Sequence, residues 1–373
     1  RSVGQDALFY MANETGGHLF EDTNDLASEL REVLHRSSVT YLLSFQPGGI
    51  ERDGSYHRLD IRVKKDLGRG TSVSHRQGYF APKPFQDLHP LEKSLIASDA
   101  IASAAPRRQL DLDVLVAPFR ANEERAYVPV IIEVGGEKLL AGHEGDELAA
   151  EFYTYVSDDR GEMRDFFTQL VTLNLSEGGR ETMRRTGLKY YGHLTLEPGD
   201  YLVRVLVRNA KTGRTGVESL RVSVPDYAEA GTQLLPPFFL EPPGRWFLVK
   251  EEQNLQRDTV VYPFTVNGSP YIPSARPVIE PGEENELVLV AYNLPAGDVE
   301  INGTVVSPDG AEVSAGRLAL VERTVTGIGG LDKLLARFRV NDLASGTYTL
   351  RVALEQPGSG MAQINSIPFS VPN

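Results

Sequence analysis

Cysteine is absent from the 373 residues, which excludes thiolate metal sites, cysteine nucleophiles and disulfide staples together. The compartment stays open, because cysteine-free proteins occur on both sides of a membrane. Long apolar runs are missing too. Nothing approaches the stretch of about 18 residues that a bilayer-crossing helix needs, so no membrane-spanning segment is expected. A basic surface is lacking: the formal net charge is −13. Binding phosphates requires the opposite sign, so nucleic acid is excluded as a partner. The chain opens at Arg1 with no basic-then-apolar leader and no small-residue cleavage site. It reads as the later part of something longer.

Chemical motifs are equally sparse. The seven histidines (His18, His35, His57, His75, His89, His143 and His193) include no pair at i, i+2 or i, i+4 and no H-E-x-x-H arrangement. No G-x-S-x-G elbow supplies a serine nucleophile. The glycine clusters Gly68-Arg69-Gly70 and Gly327-Ile328-Gly329-Gly330 lack the Lys and Ser or Thr of a phosphate loop. Acidic neighbours occur at Glu123-Glu124, Asp158-Asp159, Glu251-Glu252 and Glu283-Glu284. Adjacent residues on a strand point to opposite faces, so such pairs read as solvated turns and not as facing glycosidase carboxylates. Asp158 to Glu162 lacks the alternating ligand spacing of a calcium loop. Sequons at Asn13, Asn174, Asn267 and Asn302 read as chance matches. No catalytic, cofactor-binding or metal-ligating residue is expected, and the chain reads as non-enzymatic.

What is present is ordinary for a globular protein: 41% apolar and 24% charged residues, with length enough for two to four domains. Residues 1–82 alternate helix and strand. Ala7, Leu8, Met11 and Ala12 fall at helical spacing and Gly16-Gly17 closes that helix. A short strand is expected at 18–21. Thr23, Asn24 and Asp25 offer an N-cap to a second helix carrying Leu26, Leu30, Val33 and Leu34. Val39 to Phe45 is a nearly continuous apolar run, as in a strand covered on both faces. Leu59, Ile61 and Val63 then alternate with charged residues, and Thr71 to Phe80 runs back as a partner strand.

Four motifs in this region occur in a telling order. They are Ala12-Asn13-Glu14-Thr15-Gly16-Gly17-His18-Leu19-Phe20, Asn24-Asp25-Leu26, Tyr41-Leu42-Leu43-Ser44-Phe45-Gln46-Pro47 and Arg76-Gln77-Gly78-Tyr79-Phe80. The set resembles the end of a von Willebrand factor A (VWA) domain of the VWFA-related family of bacterial envelope and secreted proteins. The resemblance covers about the first fifth of the chain. It implies a partial α/β domain, the C-terminal half of a VWA-like fold. Such domains hold a divalent cation through an Asp-x-Ser-x-Ser loop after their first strand, and this chain does not carry that loop. No metal residue is therefore carried over; a divalent cation is expected only if an upstream VWA half is present.

From Asp87 to Ala105 the residues Leu88, Leu91, Leu95, Ile96 and Ala102 predict an amphipathic helix connecting 83–108, stopped by Pro106. Between 109 and 225 the pattern turns to β. Leu112, Val114 and Val116 alternate, and strands are predicted at Val128 to Val134, Glu151 to Val156, Phe166 to Leu175, Tyr201 to Arg208 and Ser219 to Val224. About seven short strands at this spacing fit an antiparallel sandwich. Residues 226–245 read as a linker carrying Pro236-Pro237 and Pro242-Pro243, and residues 246–373 repeat the β theme.

An internal repeat ties the two β segments together. Leu196-Glu197-Pro198-Gly199-Asp200-Tyr201-Leu202-Val203-Arg204-Val205 matches Leu343-Ala344-Ser345-Gly346-Thr347-Tyr348-Thr349-Leu350-Arg351-Val352 as L-x-x-G-x-Y-x-x-R-V. The pattern resembles the tyrosine corner of immunoglobulin-like (Ig-like) sandwiches, in which a tyrosine hydroxyl bonds back to upstream backbone. Gly199 and Gly346 would permit the bend, and Tyr201 and Tyr348 would make the corner. The expected fold is multidomain and mainly β: a partial VWA-like α/β segment followed by two tandem Ig-like antiparallel β-sandwiches.

Trp246, the only tryptophan, lies near Phe238-Phe239, and Tyr190-Tyr191 forms a second aromatic cluster. Packing where domains meet is the expectation for both. These features together point to a secreted, periplasmic or cell-surface protein for protein–protein interaction or adhesion. The alternatives are a structural subunit that self-assembles through exposed strand edges, and a carbohydrate-binding accessory module that stacks a glycan on exposed rings.

Overall fold

The computed structural model describes residues 3–17, 19–20, 25–37, 44, 48–62, 75–103, 107–229, 231–241, 244, 246–250, 263–313, 316–326, 330–355, 357 and 362–372. The chain divides into a unit spanning Arg1–His89 and a larger one spanning Pro90–Asn373.

The smaller unit holds the helices Val3–Thr15 and Leu26–Ser37 and one antiparallel pair, Tyr56–Arg58 with Gly78–Phe80. Gly16 ends the first helix in the left-handed region at φ +77, where the Gly17 N–H reaches the Ala12 carbonyl at 2.6 Å. Asp25 caps the second helix through Oδ1, which accepts from the Ser28 N–H at 3.1 Å. The run 39–45 and the start of the strand from Thr71 lie almost entirely outside the described residues; of the predicted strand at 18–21, Leu19 and Phe20 are described and are not in a strand. Ile61 does not enter a strand and is exposed. Pairing falls instead on Tyr56–Arg58, where Tyr56 meets Phe80 edge-on at 5.0 Å and His57 stacks on Tyr79 at 5.3 Å. The expected apolar helix faces are uncovered: Leu8, Met11, Leu30 and Leu34 are all exposed.

The larger unit is mainly β and contains two sandwiches. In the first, one sheet runs in the order Thr215–Val224, Gly199–Asn209, Glu147–Asp158, Met163–Asn174. The opposite sheet runs Leu112–Val116, Ala126–Val134, Leu188–Leu196, Phe247–Lys250. The second sandwich sets Gln233–Leu234, Glu284–Tyr292, Leu331–Val340, Gly316–Val325 against Glu312–Val313, Glu300–Val306, Gly346–Glu355, Ala362–Val371.

The segment 226–245 differs from a free linker, and 246 is not where the first sandwich stops contributing. Gln233–Leu234 and Phe238–Phe239 both pair with Glu284–Tyr292, separated by Pro236-Pro237. Proline is tolerated there because the interrupted strand lies at the sheet edge. The chain then returns to the first sandwich, where Phe247–Lys250 pairs in parallel with Leu188–Leu196. Sequence position and sandwich membership are therefore exchanged across this stretch.

The helix Pro90–Ala102 packs on the outer face of the first sandwich, and not through the residues its periodicity nominated. Ala97, Ala100 and Ile101 are buried against Leu206 and Val217, whereas Leu91, Leu95 and Ile96 are exposed. Small alanines let the helix approach the sheet closely. Two arginines then fix it there: Arg208 donates to the Lys93 carbonyl at 2.7 Å and Arg204 to the Ile101 carbonyl at 2.9 Å. Arg204 thus bonds the carbonyls of the helix's last turn, where cations are favoured. Arg208 is itself buried and ion-paired to Glu151 at 2.5 Å.

Candidate functional site

Apart from the Arg208 clamp, two places among the described residues gather polar groups. The first is a groove of about 410 Å³ on the outer face of the first sandwich, beside the C-terminal end of helix Pro90–Ala102. Ile101, Tyr155 and Met163 form its apolar wall, while Asp159, Asp200 and Arg221 line it as well. Tyr155 and Phe166 sit opposite each other in register and stack with centroids 5.8 Å apart and planes 12° from parallel. Phe166 is half exposed.

The acidic turn below the groove is occupied by its own structure. Asp158 Oδ1 accepts from the N–H groups of Arg160 and Glu162 at 3.0 and 2.9 Å, and Oδ2 binds Arg164. The Arg164 hydrogen bond is the main cause holding the Asp158 carboxyl below its usual value. Tyr201 lines the same groove, and its hydroxyl donates to the Glu197 carbonyl at 2.9 Å. Tyr348 does the same to Ala344 at 3.0 Å. Gly199 and Gly346 have nearly equal φ values of +153 and +157, a region that disfavours a side chain. A Cβ on either would rest against the ring of the tyrosine two residues on. The repeat therefore produces the same local geometry twice. Its site residues do not converge: Tyr201 belongs to the first sandwich and Tyr348 to the second.

The second place is the joint between the sandwiches. Every residue of Ala126–Val134 is buried, because its sheet is covered on both faces. Ile132 lies opposite Tyr190, whose ring packs on Phe152 and Phe167 within the first sandwich. Glu133 lies opposite Lys189 on the other face, toward the second sandwich. There Phe119, Phe238 and Phe264 meet with centroids 5.1 to 5.7 Å apart. Val288, Val290 and Tyr292 of the second sandwich belong to this same core. Tyr227 donates to the Pro118 carbonyl, and the Tyr292 oxygen accepts from the Arg120 N–H at 3.0 Å. Burial pushes the Tyr292 hydroxyl up to about 12 and raises Tyr227 as well, so both stay protonated.

An ionic cluster is embedded in these aromatics. Lys189 Nζ lies 2.9 Å from Glu133 Oε1 and also contacts Glu241 Oε2, with side-chain exposures of 3%, 2% and 8% in that order. Glu133 accepts further from the N–H groups of Ala275 and Arg276 at 2.9 and 3.3 Å and from the Ser274 hydroxyl at 3.2 Å. Desolvation is the largest influence on Glu133 and raises its pKa, opposed by the charge of Lys189. The Trp246 ring stands over the ammonium with its centroid 5.3 Å away. Arg276 reaches Asp113 at 2.6 Å and adds a second ionic tie.

Pattern reading did not single out Glu133, Lys189 or Glu241. A signal existed for the first two: each is a lone charge inside an otherwise apolar strand, in Val130-Ile131-Ile132-Glu133-Val134 and Leu188-Lys189-Tyr190-Tyr191. The aromatics that were singled out divide among three places. Phe238 and Tyr191 lie at the joint, Tyr190 in the first core and Phe239 against Phe338 in the second core. The described histidines are dispersed; His193 stacks on Tyr127, and His143 bonds Asn209 and the Glu147 carbonyl. Among the described residues, no three His, Asp or Glu side chains are grouped to hold a metal ion. Likewise, no described helix is long and apolar enough to cross a membrane.

No family model and no curated protein matches the chain. Solved structures share only limited similarity with it. A family 123 glycoside hydrolase from Clostridium perfringens aligns at 12% identity and TM-score 0.21, over 26% of this chain and 23% of its own. A calcium-binding mutant of Bacteroides uniformis beta-glucuronidase 2 aligns at 14% identity and TM-score 0.22, over 33% and 13%. Rst D1-D2 aligns at 9% identity and TM-score 0.18, over 70% and 99%. The chain thus spans less than a quarter of either hydrolase.

Proposed function

We propose that this is a non-enzymatic protein of the bacterial cell exterior, secreted, periplasmic or surface-held, that works by protein–protein contact or adhesion. In this reading a VWA-like unit is carried on two tandem Ig-like sandwiches. The sheet orders support the second half of that description. If the strands of the second sandwich are lettered along the chain, they pair as A-B-E-D and C′-C-F-G, the order of an immunoglobulin sandwich. The first sandwich follows the same scheme, with Phe247–Lys250 standing in the D position.

The observation that carries the functional reading is where the buried charges go. Arg208 ties a helix to a sheet, and Lys189 and Glu133 tie one sandwich to the next. These are the contacts of a scaffold that holds surfaces in fixed relation. A photo-crosslinking amino acid placed singly at Phe166, Leu170, Leu320, Val325 and Ile364 tests it, since all five are exposed strand positions. Adducts from the native cell surface should cluster on one face. A second copy as adduct would favour the structural-subunit alternative. Silence at every position, with a substrate turned over by the purified chain, would sink the reading.

A glycan-binding reading has one observation in its favour, the near-parallel Tyr155–Phe166 stack beside the groove. Titration of polysaccharides against Phe166→Ala separates the two. Saturable binding lost in the variant would support a carbohydrate module.

A further inference from the structure

The ionic cluster in the joint contains a nucleophile, an electrophile and a base in mutual contact. We propose that Lys189 and Glu241 condense to an intramolecular amide, with Glu133 as the proton carrier, fastening the crossing segment covalently to the first sandwich. The nucleophile is the Lys189 amine, on strand Leu188–Leu196. The electrophile is the Glu241 carboxyl, on the segment that leaves the second sandwich to supply strand Phe247–Lys250. All three side chains are more than nine-tenths buried.

The steps balance without any outside reagent. A proton moves from the Lys189 ammonium to the Glu241 oxygen it touches, leaving a neutral amine beside a carboxylic acid. The nitrogen lone pair then attacks the Glu241 carboxyl carbon and forms the C–N bond. Glu133, 2.9 Å from Nζ, accepts the second nitrogen proton. It hands that proton to the departing hydroxyl, the C–O bond breaks, and one water leaves. Glu133 ends as it began, a carboxylate.

Several features of the site favour this course. Reactive groups held in contact enjoy effective concentrations of about 10⁵ M or more. The product removes one buried positive and one buried negative charge, whose desolvation opposes the ionic form. Glu133 does not need the ammonium afterwards, because Ala275, Arg276 and Ser274 already donate to it. Desolvation also raises the proton affinity of its carboxyl, which suits it to carry a proton. The Pro273 carbonyl, 3.2 Å from Nζ, and the Trp246 ring complete the walls around the amine.

Intact mass of the folded, then denatured, full chain tests the proposal directly. The expected result is a mass lower by one water than the sequence requires, with the Lys189 and Glu241 peptides recovered joined. Glu133→Gln should restore the full mass while keeping the side-chain shape, and Lys189→Met and Glu241→Ala should do the same. A wild-type chain at full mass, with both peptides free, would overturn the proposal and leave an ion cluster only. So would a water lost elsewhere, for which Asp53-Gly54 and Asp309-Gly310 are ready sources through succinimide formation. Water still lost from the joined peptides in Glu133→Gln would remove Glu133 from its role and thereby refute the mechanism. The bond stands or falls independently of what the protein binds.

Discussion

Replacing Arg208 by Met should release the helix Pro90–Ala102 from the first sandwich without emptying the space the side chain fills. Arg208 is 1% exposed, bonds Glu151 through Nε at 2.6 Å and the Lys93 carbonyl through a terminal nitrogen at 2.7 Å. Removing one partner of a buried ion pair costs about 3–5 kcal/mol. The low end applies here, because the Glu151 side chain keeps 22% of its exposure and water can reach it. Losing the bond to Lys93 adds about 1 kcal/mol, and retained methylene packing offsets a similar amount. The net expectation is about 3 kcal/mol. Urea unfolding should show a lower midpoint at an unchanged slope, and amide exchange should rise in Pro90–Ala102 before it rises in the sheet strands. A double-mutant cycle with Glu151→Gln should return a coupling of about 1 kcal/mol or more. A change within about 0.5 kcal/mol, as for an ordinary surface position, together with unaltered helix exchange, would refute the clamp.

Tyr201→Phe should cost about 1 kcal/mol by loss of its half-buried bond, and Tyr348→Phe about half that, because water can replace the exposed bond to Ala344. Equal or reversed losses in urea titrations would count against this account of the corners. Gly136→Ala should destabilise by about 3 kcal/mol or more, since its Cβ would fall 1.7 Å from the backbone oxygen of Met183. Gly178→Ala, in open space on the helix Glu177–Thr186, should gain about 0.5–1 kcal/mol in the same assay. Burial raises the Asp113 carboxyl above its ordinary value of 3.8, with the charge of Arg276 opposing. Between 3.8 and the folded value, the folded state keeps a proton the unfolded state has lost. This group's contribution to stability therefore falls as pH rises through that window, then levels off. Asp113→Asn should flatten that part of the stability–pH curve, and an unchanged curve would exclude the assignment. A fragment of residues 107–225 should bind a hydrophobic dye and melt well below 107–373, because Ile131, Tyr191 and Lys189 lose their cover. A compact, dye-free 107–225 would show that the joint contributes little.

Individual strands were legible where one face meets water. Glu147–Asp158 alternates and Met163–Asn174 exposes one side along its length, and the repeat placed Tyr201 and Tyr348 on matching strand starts. Where a sheet is covered on both faces, alternation disappears. The run Ala126–Val134 says that something lies on each side and not what. Phe247–Lys250 is four residues long beside prolines and a glycine, too short to show a period, and its partner precedes it by more than 50 residues. The helix Pro90–Ala102 misled for a different reason. Its leucines form the more hydrophobic stripe, but the sheet selects the face whose small residues admit close approach. The ionic cluster drew its members from three separated stretches, around 133, 189 and 241, and no spacing rule links them.

The repeat itself shows how the two sandwiches have come to do different work. Its arginine occupies the same place in L-x-x-G-x-Y-x-x-R-V each time, on the strand after the corner. In the second sandwich Arg351 stays on the surface and reaches Glu312 only at 3.5 Å, a pairing worth little in water. In the first, Arg204 turns to the carbonyls ending the helix Pro90–Ala102, where backbone groups need a donor. The opposite sheet of the first sandwich is likewise engaged, by Phe264 and Ala275 and by the strand Phe247–Lys250. The first sandwich is therefore engaged on both outer faces, with Met163–Asn174 left open on one of them, while Glu300–Val306 and Ala362–Val371 of the second carry many exposed residues on their outward side. A protein built for contact would place its partner on the less committed surface, which makes the sheet Glu312–Val313, Glu300–Val306, Gly346–Glu355, Ala362–Val371 the first face to survey for one.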